Sequence, residues 1–297
     1  MTPNAVLAIW AGGGLLALVF LLLAIRAGRR LRFLIDTPTS KAKGLFMGQV
    51  EIAGRATIAQ PVTTFLAAAQ SVWFHYVISE EWERWETEVT TDDKGHTQTR
   101  QVRKTGWNTV AEGGEAPAFF VEDETGSVLI QPEGATIEAV QVFSQTVGRN
   151  DPLYFGKGPA DEIFDSNHRR RFIERAIPVE APLFVAGRAR ERSDVVAPEI
   201  AADKAQELFL ISCRGESKVL RGYRWQFWLI GILALLPLPA AEAIIDNKSG
   251  IATDWRVLAG LAGAVAVLWA ISWIWMSFNS LVQLRNRVTQ ASSLIEG

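Results

Sequence analysis

Three stretches of the chain are almost free of charge, and the residues between them alternate between apolar and polar. Asn4 to Ile25 contains no Asp, Glu, Lys or Arg, Trp225 to Ile245 contains only Glu242, and Val257 to Phe278 again contains none. At 1.5 Å per residue, each is about as long as the ~30 Å hydrocarbon core of a bilayer. The pattern therefore predicts three membrane-spanning helices. A cleaved signal peptide is the rival reading of the first block. It calls for basic residues before the apolar run, whereas here Arg26, Arg29, Arg30 and Arg32 follow it, which favours a retained anchor. Pro237 and Pro239 interrupt the second block, a kink that a membrane helix tolerates when neighbours cover the freed backbone groups. Gly260 and Gly263 on the third block are expected to admit close packing against the second. Gly12, Gly13 and Gly14 are read as packing positions in the first. Trp225 and Trp228, with Trp269, Trp273 and Trp275, are expected at headgroup level.

Between the first and second blocks, the period changes to two. Gln49 to Ala56 alternates, and Ser71 to Ile78 is β-branched and aromatic. Ala118 to Val121 and Ser127 to Gln131 flank Glu122-Asp123-Glu124-Thr125-Gly126, a hairpin whose glycine is expected to supply a positive φ. Pro132-Glu133-Gly134 predicts the next turn. Trp82 to Val89 and Val102 to Val110 read as arms of a long hairpin with Asp92 to Thr105 as its polar end. Arg169 to Ala176 fits a short helix or a strand. Pro182 to Ala189 and Glu207 to Ser212 are predicted strands, joined by a loop over Val195 to Lys204. The fold class is α+β: a mainly antiparallel β domain inserted between one N-terminal and two C-terminal transmembrane helices. The expected division is an anchor over 1–25, a basic linker over 26–43 and the β-rich domain over 44–220. Spans follow over 225–245 and 257–278, then an amphipathic helix over 279–297.

Charge orients this arrangement. Basic residues cluster after the first block and before the second, and Arg285 and Arg287 follow the third. The intervening loop holds only Lys248 and Arg256. Cytoplasmic flanks carry the Lys and Arg excess, so the N-terminus is expected outside, with the domain and C-terminus inside, in a bacterial inner membrane. Net charge is −2, which gives nucleic-acid binding no support. Cys213 is the single cysteine, too few for a thiolate zinc module within these residues.

Candidate chemistry is sparse. His75, His96 and His168 are far apart, no His-Glu-x-x-His or phosphate-cradling glycine loop occurs, and no cofactor or metal is expected. Glu122, Asp123 and Glu124 read as a turn rather than a cation site. Arg169-Arg170-Arg171 reads as a solvated charge run. Trp73, Trp82 and Trp85 are weighed as a recognition surface against ordinary packing. Arg26, Arg29 and Arg30 are candidate lipid contacts. Leu281, Leu284 and Val288 recur at helical spacing and are candidates for contact with a partner helix.

Several segments carry a resemblance. Gly48-Gln49-Val50-Glu51-Ile52-Ala53-Gly54, Pro61 and Val72-Trp73-Phe74-His75-Tyr76 are similar to the opening of the GIDE, or "beside a membrane", domain. Phe119 through Ala135 resembles that family's most specific segment, and Glu174 with Pro182 through Ala189 resembles a later strand. Ser71 stands where the family often has Cys. The eukaryotic relatives are mitochondrial and chloroplast membrane ubiquitin or SUMO ligases whose activity resides in a C-terminal RING, for which this chain lacks the cysteines. The resemblance implies a membrane-anchored, non-enzymatic scaffold or sensor that recruits partners, with a role in membrane-protein quality control or envelope stress. Ligase-family activity is the alternative. Phe278 to Val288 is similar to the start of the LemA family, which implies assembly with LemA-like chains or self-association through the tail.

Overall fold

A computed structural model describes residues 1–37, 39–91, 97–192, 194–203 and 208–295. The chain divides into two units, Ser40–Arg214 and Met1–Thr39 with Gly215–Gly297. The second is helical. It contains α1 (Pro3–Asp36), α3 (Glu216–Ala234), α4 (Pro237–Ser249) and α5 (Trp255–Ile295), while α2 (Pro152–Gly156) belongs to the β-rich unit. Among the described residues three segments are long and apolar enough to cross a membrane: Pro3–Asp36, Glu216–Ser249 and Trp255–Val282, with mean hydropathies of 2.5, 2.0 and 2.1.

The middle segment is two helices in series. α3 stops at Ala234 and α4 restarts at Pro237, because a proline supplies no N–H and fits only the first turn of a helix. The close approaches in this unit differ from expectation. Gly260 and Gly263 have no heavy atom within 4 Å of where a side chain would begin. Gly231 on α3 carries the contact instead, since a Cβ there would fall 2.1 Å from the Trp269 ring. Gly13 likewise lies against Ala241 and Pro237. Large Trp against Gly is the complementary solution to small against small, and it takes Trp269 into the helix packing beside Phe227 and Trp228, at 5.5 and 5.3 Å between ring centres.

Among the described residues the β-rich part has thirteen strands: β1 (Thr39–Ser40), β2 (Gly48–Thr57), β3 (Val62–Thr63), β4 (Gln70–Thr91), β5 (Thr97–Glu115), β6 (Phe119–Asp123), β7 (Gly126–Ile130), β8 (Thr136–Glu138), β9 (Val140–Gly148), β10 (Ser166–Pro178), β11 (Pro182–Glu191), β12 (Pro198–Ala201) and β13 (Leu210–Ser212). In the first sheet the order β2-β6-β7-β12-β11 returns to β2, so five strands close into a small barrel. Closure removes the exposed edges that an open sheet would present. Val50, Ile52, Val121, Val128, Ile130, Val185 and Ile200 point inward and are buried. β12 falls inside the predicted 195–204 loop. It is only four residues long and only its parallel pairing with β7 completes the barrel, a long-range partner that local composition does not announce.

The predicted hairpin forms between β6 and β7, but its glycine is not the turn device. Gly126 is paired with Asp123 in the ladder and has no positive φ. The Asp123 carboxylate holds the turn instead, accepting from Thr125 N at 2.7 Å, Thr125 Oγ1 at 2.6 Å, Gly126 N at 3.1 Å and Ala42 N at 2.9 Å. Gly134 does adopt φ +78°, as the Pro-Glu-Gly turn requires. The second sheet is β3-β4-β10-β9, with β5 on the free side of β4. Arg169 to Ala176 lies within β10, resolving the open alternative as a strand.

Candidate functional site

The second sheet narrows into a ribbon. β4 pairs with β10 from Ser71 to Trp82 and with β5 from Phe74 all the way to Thr91. Glu83 N still donates to the Asp165 carbonyl at 2.9 Å, and from Arg84 outward β4 and β5 pair only with each other among the described residues. An isolated two-stranded hairpin is at best marginally stable in water, so this one needs support along its length and at its base.

Along its length, β4 supplies acids and β5 supplies bases. Arg103 pairs with Glu83 at 2.6 Å, and Lys104 with Glu86 at 2.5 Å and Glu88 at 3.6 Å. Trp82 lies over Gly106, where a Cβ would come within 2.6 Å of its ring, and Arg84 sits 5.2 Å from the same ring. Trp85, opposite Arg103, lies on the other face and is 62% exposed, and Val89 two rungs further out is 61% exposed.

At the base lies a buried polar cluster. Arg170 and Glu80 face each other across β10 and β4, both fully buried. Arg170 Nε donates to Glu80 Oε2 at 2.9 Å, and its Nη atoms donate to the carbonyls of Tyr154, Pro159 and Asp161 at 2.8, 2.6 and 2.7 Å. The guanidinium also lies 4.1 Å from the Tyr154 ring. The Tyr154 hydroxyl reaches Glu80 at 3.0 Å and Glu162 at 2.9 Å, and Ser166 Oγ donates to Glu80. Burial, with the Glu162 carboxylate alongside, pushes the Tyr154 phenol up to about 12, so it stays protonated as a donor. Chain turns are pinned by the same means elsewhere, since the buried Glu174 carboxylate accepts from Leu66 N and Ala67 N at 3.0 and 2.8 Å.

The three arginines are thus not one solvated run. Arg170 is the buried anchor, Arg171 rests 4.6 Å from the Trp107 ring, and Arg169 pairs with Glu81 at 2.9 Å. Alternation explains this, because Arg170 shares a strand face with the buried Phe172, Glu174 and Ala176.

The other candidates do not converge. Trp73 is half-buried against the barrel core and stacked on His75 at 6.4 Å. Trp82 and Trp85 point to opposite faces, so the three tryptophans form no common surface. His168 Nδ1 lies 3.0 Å from Glu162 and His75 is exposed, while His96 lies outside the described residues. Among the described residues no three metal-ligating side chains cluster. Glu124 pairs with Lys41 at 2.6 Å, which with the Asp123 contacts makes this acidic stretch a turn. Arg26 and Arg29 are exposed and Arg30 is half-buried. Leu281 is 65% exposed, and Leu284 and Val288 lie on the α5 backbone with side chains outside the described residues.

A barrel with an appended ribboned sheet, in a chain with three apolar helical segments each long enough to cross a bilayer, defines a membrane protein with one β-rich domain. Residues 86–238, just over half of the chain, match the GIDE family, described as E3 Ubiquitin ligase, and the chain belongs to that family. No curated protein and no solved structure matches it.

Proposed function

We propose that this protein is a membrane-anchored scaffold whose β-rich domain recruits partner proteins through the β4–β5 ribbon. The observation that carries the reading is Trp85. A tryptophan 62% exposed on a braced two-stranded arm, with the exposed Val89 further out on the same face, has the composition of an interaction hot spot rather than of a core. The ion-pair ladder and the Arg170 anchor support it, because they hold the arm in shape before any partner arrives. The charge distribution supports an N-terminus outside the membrane and a domain and C-terminus in the cytoplasm, in a bacterial inner membrane. Arg26, Arg29 and Arg30 would then meet anionic headgroups. Membrane-protein quality control or envelope stress is the setting this reading favours.

Family membership raises ligase chemistry as the competing function. A RING needs thiolate and imidazole zinc ligands in number, and these 297 residues hold one Cys and three His. Ligase activity would therefore depend on a RING outside these residues. Two experiments separate the readings. A photo-crosslinking amino acid at Trp85, activated in membranes, should yield a discrete adduct with a second protein species, and the absence of any adduct would count against the scaffold. The purified chain incubated with ubiquitin-activating and ubiquitin-conjugating enzymes should form no conjugates. Clear conjugation without an added RING would restore the ligase reading. Assembly through the tail, with LemA-like chains or a second copy, is supported by the course of the α5 backbone to Ile295, beyond the uncharged block that ends at Phe278.

A further inference from the structure

In the helical unit the ends of the three apolar blocks meet at one level. A side chain beginning at Gly28 would fall 2.9 Å from Met276 Cε and 3.1 Å from Phe227 Cε2. Gly28 lies just after the first block ends at Ile25, Phe227 just inside the start of the second at Trp225, and Met276 just before the third ends at Phe278. Trp225 and Trp228 are exposed beside this level, as indoles at a headgroup boundary are. A bilayer that takes up these blocks has its edge here.

Charge at this edge is one-sided. Beyond Ile25, α1 carries Arg26, Arg29, Arg30 and Arg32 and a single acid, Asp36, whose carboxylate accepts from Ser280. Arg32 donates to Ser277 Oγ at 2.6 Å, and Arg29 also has a partner. Arg26 and Arg30 have none among the described residues. They lie one turn apart on one face of α1. Arg26 is exposed and Arg30 is half-buried. Of the Arg30 nitrogens, Nε is shut off from water without meeting an acceptor, while the outer two remain open. A cation partly withdrawn from water is costly without a counter-charge. A phosphate at headgroup depth supplies one, and guanidinium groups match its oxygens well. Two cations with no carboxylate between them favour a headgroup of net negative charge over a zwitterionic one. We propose that Arg26 and Arg30 together hold the phosphate of one anionic phospholipid, in the leaflet where the three blocks end. This site rests on the membrane reading above, and it narrows a general attraction along the basic stretch to two arginines and one bound lipid.

The full chain, purified in detergent, is titrated with phosphatidylglycerol and separately with phosphatidylcholine, and bound lipid is counted by native mass spectrometry. One phosphatidylglycerol per chain should be held in preference to phosphatidylcholine, and inorganic phosphate should not displace it. Arg26→Gln and Arg30→Gln should each weaken phosphatidylglycerol binding about fivefold, and together roughly thirtyfold. Lys218→Gln with Arg221→Gln, the same loss of charge on α3, should weaken it clearly less. No preference for phosphatidylglycerol in the unsubstituted chain would overturn the site whether or not the variants fold. So would equal losses from the two pairs, the mark of diffuse attraction, or displacement by inorganic phosphate, the mark of a soluble anion as ligand. A Trp85 adduct obtained alongside any of these failures would leave the scaffold reading standing.

Discussion

Arg170 and Glu80 stand opposite each other on neighbouring strands with no solvent exposure on either side chain, and every guanidinium nitrogen of Arg170 has a partner. A pair this deep is strongly stabilising relative to its own broken form, because an uncompensated buried charge is what removal of one partner leaves. Glu80→Leu should therefore cost roughly 3–5 kcal/mol. Combining it with Arg170→Met should cost clearly less than the two single losses added, since neither charge then stays behind. Thermal melting of the full chain in detergent measures both. Additive losses would mean that the two residues act separately.

The β6–β7 turn should be sensitive to acid through Asp123. Partial burial would raise its carboxyl, but hydrogen bonds from Thr125, Ala42 and Gly126 outweigh this and hold it below the ordinary carboxylate value. A lowered folded pKa means stabilisation that is complete above the unfolded pKa of about 3.9 and is lost as pH falls through the lower folded value. Asp123→Ala should cost roughly 1–3 kcal/mol at neutral pH. Its stability should converge on that of the unsubstituted chain in acid, as urea midpoints measured across pH would record.

Gly231 and Gly263 should respond oppositely to the same substitution. Gly231→Ala drives a methyl group into Trp269, for which overpacking costs of roughly 1–3 kcal/mol apply. Gly263→Ala meets nothing and should be neutral or slightly stabilising, as alanine favours helix. Loss of helical signal on heating in detergent distinguishes them, and equal sensitivity would contradict the observed packing.

Trp85→Ala should leave thermal stability within about 0.5 kcal/mol, as expected for an exposed position, while reducing partner capture from solubilised membranes. A large loss of stability would show that Trp85 is structural.

The apolar blocks were legible because the bilayer imposes a single length on uninterrupted hydrophobicity, and the β2, β6, β7 and β11 strands because alternation is a local signal. β12 was not, since its four residues matter only through parallel pairing with a distant strand. The buried anchor was hidden by composition, because three adjacent arginines read as a charged surface. Counting parity from Phe172 would have turned Arg170 inward beside Glu174, although Glu80 and Tyr154 meet it only through long-range pairing. The glycine positions of the helical unit failed for a related reason. Small residues mark where close approach is possible, and the bulky Trp269 decided which of them was used.

α5 is a single helix of 41 residues, which at 1.5 Å per residue is about 60 Å, twice the ~30 Å of a hydrocarbon core. Arg32 and Asp36 on α1 bond to Ser277 and Ser280 midway along it. The two bonds fall where the uncharged block ending at Phe278 gives way to polar sequence, so a bilayer that takes up the first half of α5 would have α1 and α5 tied together at its boundary, with the second half of the helix left over.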